Sequence, residues 1–276
     1  MSAFRKKICG IVLKLALFSF IWCACCLAAA ILYEAIWPEQ SGEEVVKKRA
    51  FSVDSSNTED GYFMAMHDEY GGKLKMRVAK DGQIYTYDLN GTGEYESFPL
   101  QLGDGTYTMS VYKNVESNKY SKEAEVTLNV ELENEYTPFL SPSQYVYYTP
   151  EFKAVEQSNL LCEGLETDVE KYNAIVNYVS ANFKYDYERA ASNPGFYLGD
   201  VEGCFETQMG LCQDLSAMTA CMLRVQGIPS QLVIGYADKY YHAWNKVLLD
   251  GEYQMLDITA KITGVPASVY TEERRY

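Results

Sequence analysis

The sequence predicts an α+β domain at the C-terminus, preceded by an all-β sandwich domain and an N-terminal transmembrane helix. Three observations predict this arrangement. An uncharged apolar run opens the chain, polar and apolar residues alternate through its middle, and helix and strand patterns mix near its end. The predicted parts are 1–36 for a cytoplasmic stub with the membrane helix, 37–60 for a linker, 61–135 for the sandwich and 136–276 for the α+β domain.

The apolar run from Leu15 to Tyr33 is long enough to cross a membrane. Its nineteen residues make about 28 Å of helix, roughly the thickness of the hydrocarbon core. Basic residues precede the run and glutamates follow it, so we expect a cytoplasmic N-terminus and exported C-terminal domains. Two alternatives stay open. One is a signal peptide cleaved near Ala28-Ala29-Ala30, which gives a secreted protein, and the other is a lipoprotein acceptor at Cys25.

The chain is acidic and poor in metal-binding residues. Residues 1–36 hold four basic side chains and one glutamate, so the rest of the chain carries −17 against −14 for the whole. Nucleic acid is therefore excluded as a partner. With two histidines and no cysteine pair at zinc-ligand spacing, neither a metal nor a cofactor is predicted. In an oxidising compartment, Cys162 and Cys204 are available to form a disulfide.

The middle of the chain predicts a tether followed by strands. Residues 37–60 are polar, charged and rich in serine, which is typical of a linker. The alternation of apolar and polar residues is clearest over 106–112 and 125–133, and Asn90-Gly91 and Asp104-Gly105 are turn sequences. Several short strands with turns at such intervals predict a β-sandwich of immunoglobulin-like type.

The C-terminal domain is predicted to begin with helices. Residues 151–162 form the first, and the capping box Thr167-Asp168-Val169-Glu170 opens a second that reaches about Phe183. Gly195 to Gly210 has little periodicity and two or more glycines, which predicts a loop that leads to Cys212. Loops of this kind often shape a substrate cleft.

A further helix is predicted to begin around Cys212. Apolar residues recur behind it at spacings of three and four, and Gly227-Ile228-Pro229 ends the pattern. Cys212 then falls in the first turn, where unpaired N–H groups and the helix dipole favour a negative charge on sulfur. The same N–H groups can donate to an oxyanion. Cys221, inside the helix, is predicted to be an ordinary core thiol.

A β-hairpin is predicted to bring His242 and Asp257 together. Residues 242–249 and 252–258 have strand patterns, and Asp250-Gly251 between them is a strong signal for a two-residue turn. With that turn, His242 and Asp257 lie on the same face as diagonal neighbours, about 7–8 Å apart at the backbone. A carboxylate and an imidazole can hydrogen-bond across such a distance, whereas a slip of one residue would separate them.

Five segments near the C-terminus follow one another in a fixed order: Gly210-Leu211-Cys212-Gln213-Asp214, Gly227-Ile228-Pro229, Val233-Ile234-Gly235-Tyr236, His242-Ala243-Trp244 and Asp257-Ile258-Thr259. Together they resemble the transglutaminase-like superfamily of papain-like thiol enzymes, over about Gln144 to Thr259. The resemblance implies Cys212 as nucleophile, His242 as general base and acid, and Asp257 as the group that orients the imidazole. Lys246 and Ile258 replace the family's usual acidic residue and proline.

The function that the resemblance implies is acyl transfer through a Cys–His–Asp triad. The Cys212 thiolate would attack a peptide or carboxamide carbonyl, and the thioester would pass to water in a protease or amidase, or to an amine in a transglutaminase. Tyr185, Gln208 and Trp244 are candidates for the oxyanion site or the cleft wall. The expected partner is a peptide or protein substrate, with the cell envelope as one source. The alternative is a scaffold that binds peptides or the cell envelope without catalysis.

Overall fold

The computed structural model describes residues 35–192, 195 and 197–276. The predicted transmembrane helix and its flanking stub therefore lie almost wholly outside the described residues. In the part that is described, no helix is both long and apolar enough to span a membrane.

Eight strands build the first half of the described chain: β1 (Val45–Lys48), β2 (Phe51–Asp54), β3 (Tyr62–His67), β4 (Leu74–Lys80), β5 (Gln83–Leu89), β6 (Glu96–Pro99), β7 (Gly105–Glu116) and β8 (Lys119–Val130). They form two antiparallel sheets, in the orders β1-β2-β3-β6 and β5-β4-β7-β8. The buried side chains of both sheets belong to one hydrophobic core, which makes this part a β-sandwich. The predicted alternation is observed in β7, where Tyr107, Met109 and Val111 are fully buried.

The linker predicted for residues 37–60 is wrong for residues 45–54. Strands β1 and β2 lie inside this segment, and Phe51 and Val53 are fully buried in the core. The pairing of β2 with β3, which sets Phe51 opposite His67, creates this burial. A strand of four residues is too short to show a periodic pattern, so the sequence alone favoured a tether.

The second half of the described chain mixes helices with one main sheet. Its elements are α1 (Lys153–Cys162), α2 (Asp168–Asn182), β9 (Lys184–Tyr185), α3 (Tyr187–Ala191), α4 (Val201–Thr207), β10 (Met209–Gly210), α5 (Cys212–Arg224), β11 (Ser230–Ala237), β12 (Tyr240–Leu249), β13 (Glu252–Leu256), α6 (Ile258–Thr263) and β14 (Tyr270–Arg275). The main sheet is antiparallel in the order β13-β12-β11-β14. Helix α5 is the centre of this half, because it contacts four other helices as well as β11 and β12.

The capping box predicted for the second helix is confirmed. The Thr167 hydroxyl accepts a hydrogen bond from the Glu170 N–H at 3.2 Å, and the Glu170 carboxylate accepts one from the Thr167 N–H at 3.0 Å. The loop predicted between Gly195 and Gly210 instead contains α4 and β10. Helix α4 has seven residues and is capped by Asp200, whose carboxylate accepts from the Gly203 N–H. Such a short helix leaves little periodicity in the sequence.

The two halves share their core, and residues 35–276 form one compact unit. The Tyr276 ring stacks on Tyr145 with 3.5 Å between ring centres, and it meets Tyr85 of the sandwich edge-on at 5.4 Å. The buried Arg224 side chain at the end of α5 donates to the Tyr276 carbonyl at 2.9 Å. The predicted boundary between domains at residues 135 and 136 stays a prediction.

Candidate active site

Cys212 is the first residue of α5, as the sequence predicted. Strand β10 ends two residues earlier, and Leu211 between them has an extended backbone. The thiol is half-buried, whereas most of the helix behind it is fully buried. Since the first N–H groups of a helix have no partner within it, the sulfur lies beside donors that can stabilise a negative charge.

A buried carboxylate fixes the chain on both sides of Cys212. Asp214 is 1% exposed. It accepts hydrogen bonds from the Leu211 N–H at 2.9 Å, the Arg189 guanidinium at 2.7 Å, the Asp200 N–H at 3.1 Å and the Tyr197 hydroxyl at 3.4 Å. A buried charge is tolerated only with such partners. Asp214 therefore ties the segment before the thiol to the helix that carries it. The sequence alone indicated no role for Asp214, although this residue lies inside the motif Gly210-Leu211-Cys212-Gln213-Asp214.

The predicted hairpin is confirmed in its turn and its register. Asp250 and Gly251 both have positive φ, at 52° and 82°, as a tight turn of this type requires. Leu249 pairs with Glu252, and the ladder continues to Asn245 opposite Leu256. The strand predicted over 252–258 is shorter, because it ends at Leu256 and α6 begins at Ile258.

Asp257 lies at the junction between β13 and α6 and serves as the N-cap of the helix. Its Oδ1 accepts a hydrogen bond from the Ala260 N–H at 2.9 Å. Its Oδ2 lies 2.9 Å from His242 Nε2, so the predicted contact between carboxylate and imidazole is present. The helix cap holds one oxygen and leaves the other for the histidine.

His242 and Cys212 line the same cavity, and Cys212 contributes to the electrostatics of the imidazole. Because Nε2 faces the carboxylate and donates to it, Nδ1 is the ring nitrogen left for the thiol. The structure thus brings Cys212, His242 and Asp257 together in the predicted order. The Trp244 ring lies nearly parallel to the imidazole, with 6.3 Å between ring centres, and limits its rotation.

The electrostatics favour an ion pair at this site. Burial alone would lower the pKa of His242, but the hydrogen bonds and charges of Asp257 and Cys212 raise it to about 9. Burial would raise the pKa of Asp257, yet the hydrogen bond and charge of His242 lower it on balance. A protonated imidazole between two acidic groups is the arrangement that stabilises a thiolate.

Tyr270 is a further member of this group of interacting side chains, and no sequence pattern indicated it. Its hydroxyl donates to Asp257 Oδ2 at 2.7 Å, and its ring meets Trp244 edge-on at 5.2 Å. Burial and the neighbouring Asp257 carboxylate raise the pKa of Tyr270 to about 12, so the hydroxyl keeps its proton. Tyr270 is the first residue of β14, and it reaches Asp257 because β14 packs closely against β11 at Gly235. A Cβ there would lie 2.1 Å from the Thr271 carbonyl oxygen.

Replacing Tyr270 by phenylalanine is expected to raise the pKa of His242. The hydroxyl and the imidazole share Asp257 Oδ2, so without the hydroxyl the carboxylate binds the imidazolium more strongly. NMR titration of the histidine ring protons measures this, since the chain has only two histidines. The wild-type His242 signal should titrate near pH 9, and the Tyr270→Phe signal should titrate at higher pH. An unchanged His242 titration would mean that the hydroxyl does not act on the pair.

A cavity of about 690 Å³ opens in front of the thiol and the imidazole. Four tyrosines form much of its wall: Tyr185, Tyr197, Tyr240 and Tyr241. Tyr240 and Tyr241 are exposed at its rim, at the start of β12 directly after the turn that follows β11. Apart from Cys212 and His242, none of the described lining residues is ionisable below the range of tyrosine. The cavity is therefore suited to an uncharged part of a polymeric substrate next to Cys212 and His242.

The three cleft candidates occupy different places. Tyr185 lines the cavity, and burial followed by the charge of Cys212 raises its pKa. Trp244 is 2% exposed and packs behind the imidazole, outside the cavity wall. Gln208 is exposed with a φ of 53°, and its carbonyl accepts from the Lys184 N–H. Tyr185 is the candidate whose side chain lies nearest to a position that could contact a substrate.

The other described cysteines differ from Cys212. Cys162, Cys204 and Cys221 are buried and free, so no disulfide joins Cys162 to Cys204 in this structure. Burial raises the pKa of Cys162 to about 11 and raises those of Cys204 and Cys221 further. Among the described residues, no cluster of three histidine, cysteine or carboxylate side chains is placed to hold a metal ion.

Residues 156–258 match the family model of the transglutaminase-like superfamily, and these residues hold the thiol, the imidazole and the carboxylate. This segment is therefore similar to a transglutaminase-like domain, and the sandwich strands precede it. No curated protein matches the sequence significantly.

Several solved structures are similar in part. A candidate cysteine protease from Cytophaga hutchinsonii has 18% identity and a TM-score of 0.40, over 72% of this chain and 78% of the other. A TGase has 26% identity and a TM-score of 0.35, over 43% and 32%. A candidate protease from Parabacteroides distasonis has 14% identity and a TM-score of 0.32, over 75% and 63%. The chain thus spans less than two thirds of the last two proteins.

Proposed function

We propose that the transglutaminase-like domain is a thiol acyl-transfer enzyme that acts on peptide or carboxamide bonds. The observation that carries this proposal is the hydrogen-bonded set of His242, Asp257 and Tyr270, with Cys212 and His242 lining one open cavity. A nucleophile, a base and an orienting group within contact of one another are the parts that covalent catalysis requires.

In the first half of the reaction, the Cys212 thiolate attacks the carbonyl carbon of the substrate. The electron pair moves to the carbonyl oxygen, which the N–H groups at the start of α5 are placed to stabilise. The tetrahedral intermediate collapses when the carbon–nitrogen bond breaks, and the His242 imidazolium gives its proton to the leaving amine. The product of this half is a thioester on Cys212 and a neutral His242.

In the second half, neutral His242 takes a proton from the acceptor as the acceptor attacks the thioester. Water as acceptor gives a carboxylic acid, and an amine gives a new amide; each restores the Cys212 thiolate and the His242 imidazolium. The acceptor must pass Tyr240 and Tyr241 at the exposed rim. We favour hydrolysis of peptide or cell-envelope substrates, with transamidation as the competing outcome.

We also propose that the enzyme acts outside the cytoplasm, anchored by residues 15–33. The support is the uncharged run with basic residues before it and acidic residues after it. A protein released into the medium with its N-terminus beyond Ala30 would overturn the anchor and favour a cleaved signal peptide.

For the sandwich we propose an immunoglobulin-like topology. If β4, β7 and β8 correspond to strands C, F and G, then β5 takes the place of C′ in the sheet order β5-β4-β7-β8. Strands β2, β3 and β6 then correspond to A, B and E of the opposite sheet. This correspondence suggests a module that positions the catalytic half or binds a surface.

The enzyme proposal predicts selective alkylation of Cys212. Treated with iodoacetamide at pH 7, the full chain should lose the Cys212 thiol well before those of Cys162, Cys204 and Cys221, measured by peptide mass spectrometry. In the His242→Ala variant this rate should fall strongly, since the imidazolium that stabilises the thiolate is gone while the sulfur stays accessible. A Tyr241→Phe variant, which alters the rim of the cavity only, is the matched control.

Two results decide between the enzyme and the scaffold. Slow labelling of Cys212 that does not depend on His242 would favour a non-catalytic peptide-binding module. A covalent adduct at Cys212 after incubation with a peptide library, detected by intact mass and released by water or by an added amine, would identify the substrate and the acceptor.

A further inference from the structure

A second cavity, of about 550 Å³, lies where strand β6 meets the segment 142–148 and the chain before α4. None of the described residues that line it also lines the cavity at Cys212. The two cavities are nevertheless neighbours, since Tyr197 faces the thiol cavity while Leu198 and Gly199 face this one. Residues 197–199 thus contribute to the walls of both cavities.

The charge of this cavity comes from one residue. Glu96 is the only ionisable carboxylate or base among the described lining residues. Its Oε1 accepts a hydrogen bond from the Asn90 N–H at 2.6 Å, but no ion pair among the described residues includes it. Burial raises the pKa of Glu96, which means that the ionised carboxylate lacks the solvation it would have in water. A positive charge beside it would restore that stabilisation.

Aromatic rings complete the wall. Tyr95, Tyr147 and Tyr148 line the cavity, and Tyr147 is 56% exposed at its opening. The faces of aromatic rings attract cations, and the attraction grows when water is excluded.

We propose that this cavity binds the cationic side chain of a basic peptide. The ammonium or guanidinium group would form an ion pair with Glu96, and the methylene groups of the same side chain would pack against the tyrosine rings. A lysine or arginine side chain matches this wall because it joins an apolar stem to a charged end. The binding does not depend on the chemistry of Cys212, so the inference goes beyond the proposed function.

The test uses the full-length Cys212→Ala protein, which prevents turnover, with two small probes. Nα-acetyl-lysine methylamide carries the cation, and Nα-acetyl-norleucine methylamide is its neutral counterpart of similar length. Titration followed by NMR should give an affinity for the lysine probe roughly tenfold above that for norleucine, because a hydrogen-bonded charge pair is involved. The preference should weaken as salt concentration rises.

Two variants make the assignment specific. Glu96→Gln keeps the acceptor for the Asn90 N–H but removes the charge, so it should abolish the preference for lysine. Glu94→Gln removes the same charge from an exposed neighbour outside the cavity and should leave the preference intact. Tyr147→Leu should weaken binding of the lysine probe several-fold.

Three results would overturn the inference. Equal affinities for the two probes would indicate an apolar cavity, and absence of binding for both would indicate no site for this chemistry. Equal effects of Glu94→Gln and Glu96→Gln would assign the preference to the overall negative charge of the protein. Because Cys212 labelling is measured separately, failure here leaves the acyl-transfer proposal standing.

Discussion

Replacement of Cys212 by alanine is expected to eliminate acyl transfer, with a loss of roughly 10⁴-fold to 10⁶-fold in turnover. No other described thiol can replace it, because Cys162, Cys204 and Cys221 are buried and free thiols without an imidazole partner. The measurement is hydrolysis or amine incorporation for a substrate found by trapping. The fold should survive, since Cys212 is half-buried at the start of α5 and makes no packing contact as deep as those of its neighbours.

Cys162→Ala is the matched control for the cysteine change. Cys162 lies at the end of α1, far along the chain from the site, and its removal should leave turnover unchanged. Retained activity in Cys212→Ala would show that the reaction does not run through this thiol. The transglutaminase-like domain would then act through another group or as a scaffold.

Replacement of Asp257 by asparagine is expected to reduce turnover on the order of 10³-fold to 10⁴-fold. The carboxylate holds three donors at once: the His242 ring, the Tyr270 hydroxyl and the Ala260 N–H of α6. An amide has one oxygen, so either its NH₂ group faces the two side-chain donors or it faces the helix N–H. In the first case the histidine proton moves to the nitrogen that faces Cys212. The base is then in the wrong tautomer.

The comparison of two asparagine variants separates catalysis from folding. Asp200→Asn changes the N-cap of α4, which accepts from the Gly203 N–H and does not contact the triad. Both variants should melt within a few degrees of the wild type, since asparagine is a good N-cap, but only Asp257→Asn should lose turnover and lower the midpoint of the His242 titration. An active Asp257→Asn enzyme would show that the carboxylate serves only as the cap of α6.

The local geometry of the site was predictable because short-range rules govern it. The apolar repeat behind Cys212 and the Gly-Ile-Pro ending fixed the extent of α5, and Asp250-Gly251 fixed the register that aligns His242 with Asp257. These features depend on neighbours within a few residues. A shift of one residue in the hairpin would have placed Asp257 on the opposite face, so the turn chemistry had a large effect on the outcome.

The contributions of distant residues were not predictable in the same way. Tyr270 reaches Asp257 only because β14 returns along β11, with a register shift at Ile234/Gly235 where glycine permits close approach. Asp214 holds the chain around Cys212 through three partners that lie 14 to 25 positions away in the sequence, Asp200, Tyr197 and Arg189. Pairings at this separation leave no periodic trace.

The amino-acid sequence by itself determined how the thiol, the imidazole and the carboxylate are displayed, since helix periodicity and a two-residue turn act locally. Only the tertiary structure decided that β1 and β2 belong to the sandwich and that Tyr270 hydrogen-bonds Asp257. It also decided that a second cavity, lined by Glu96, lies next to the first. Those features arise when strands and loops far apart in the chain exclude water between them, and no single segment encodes that event.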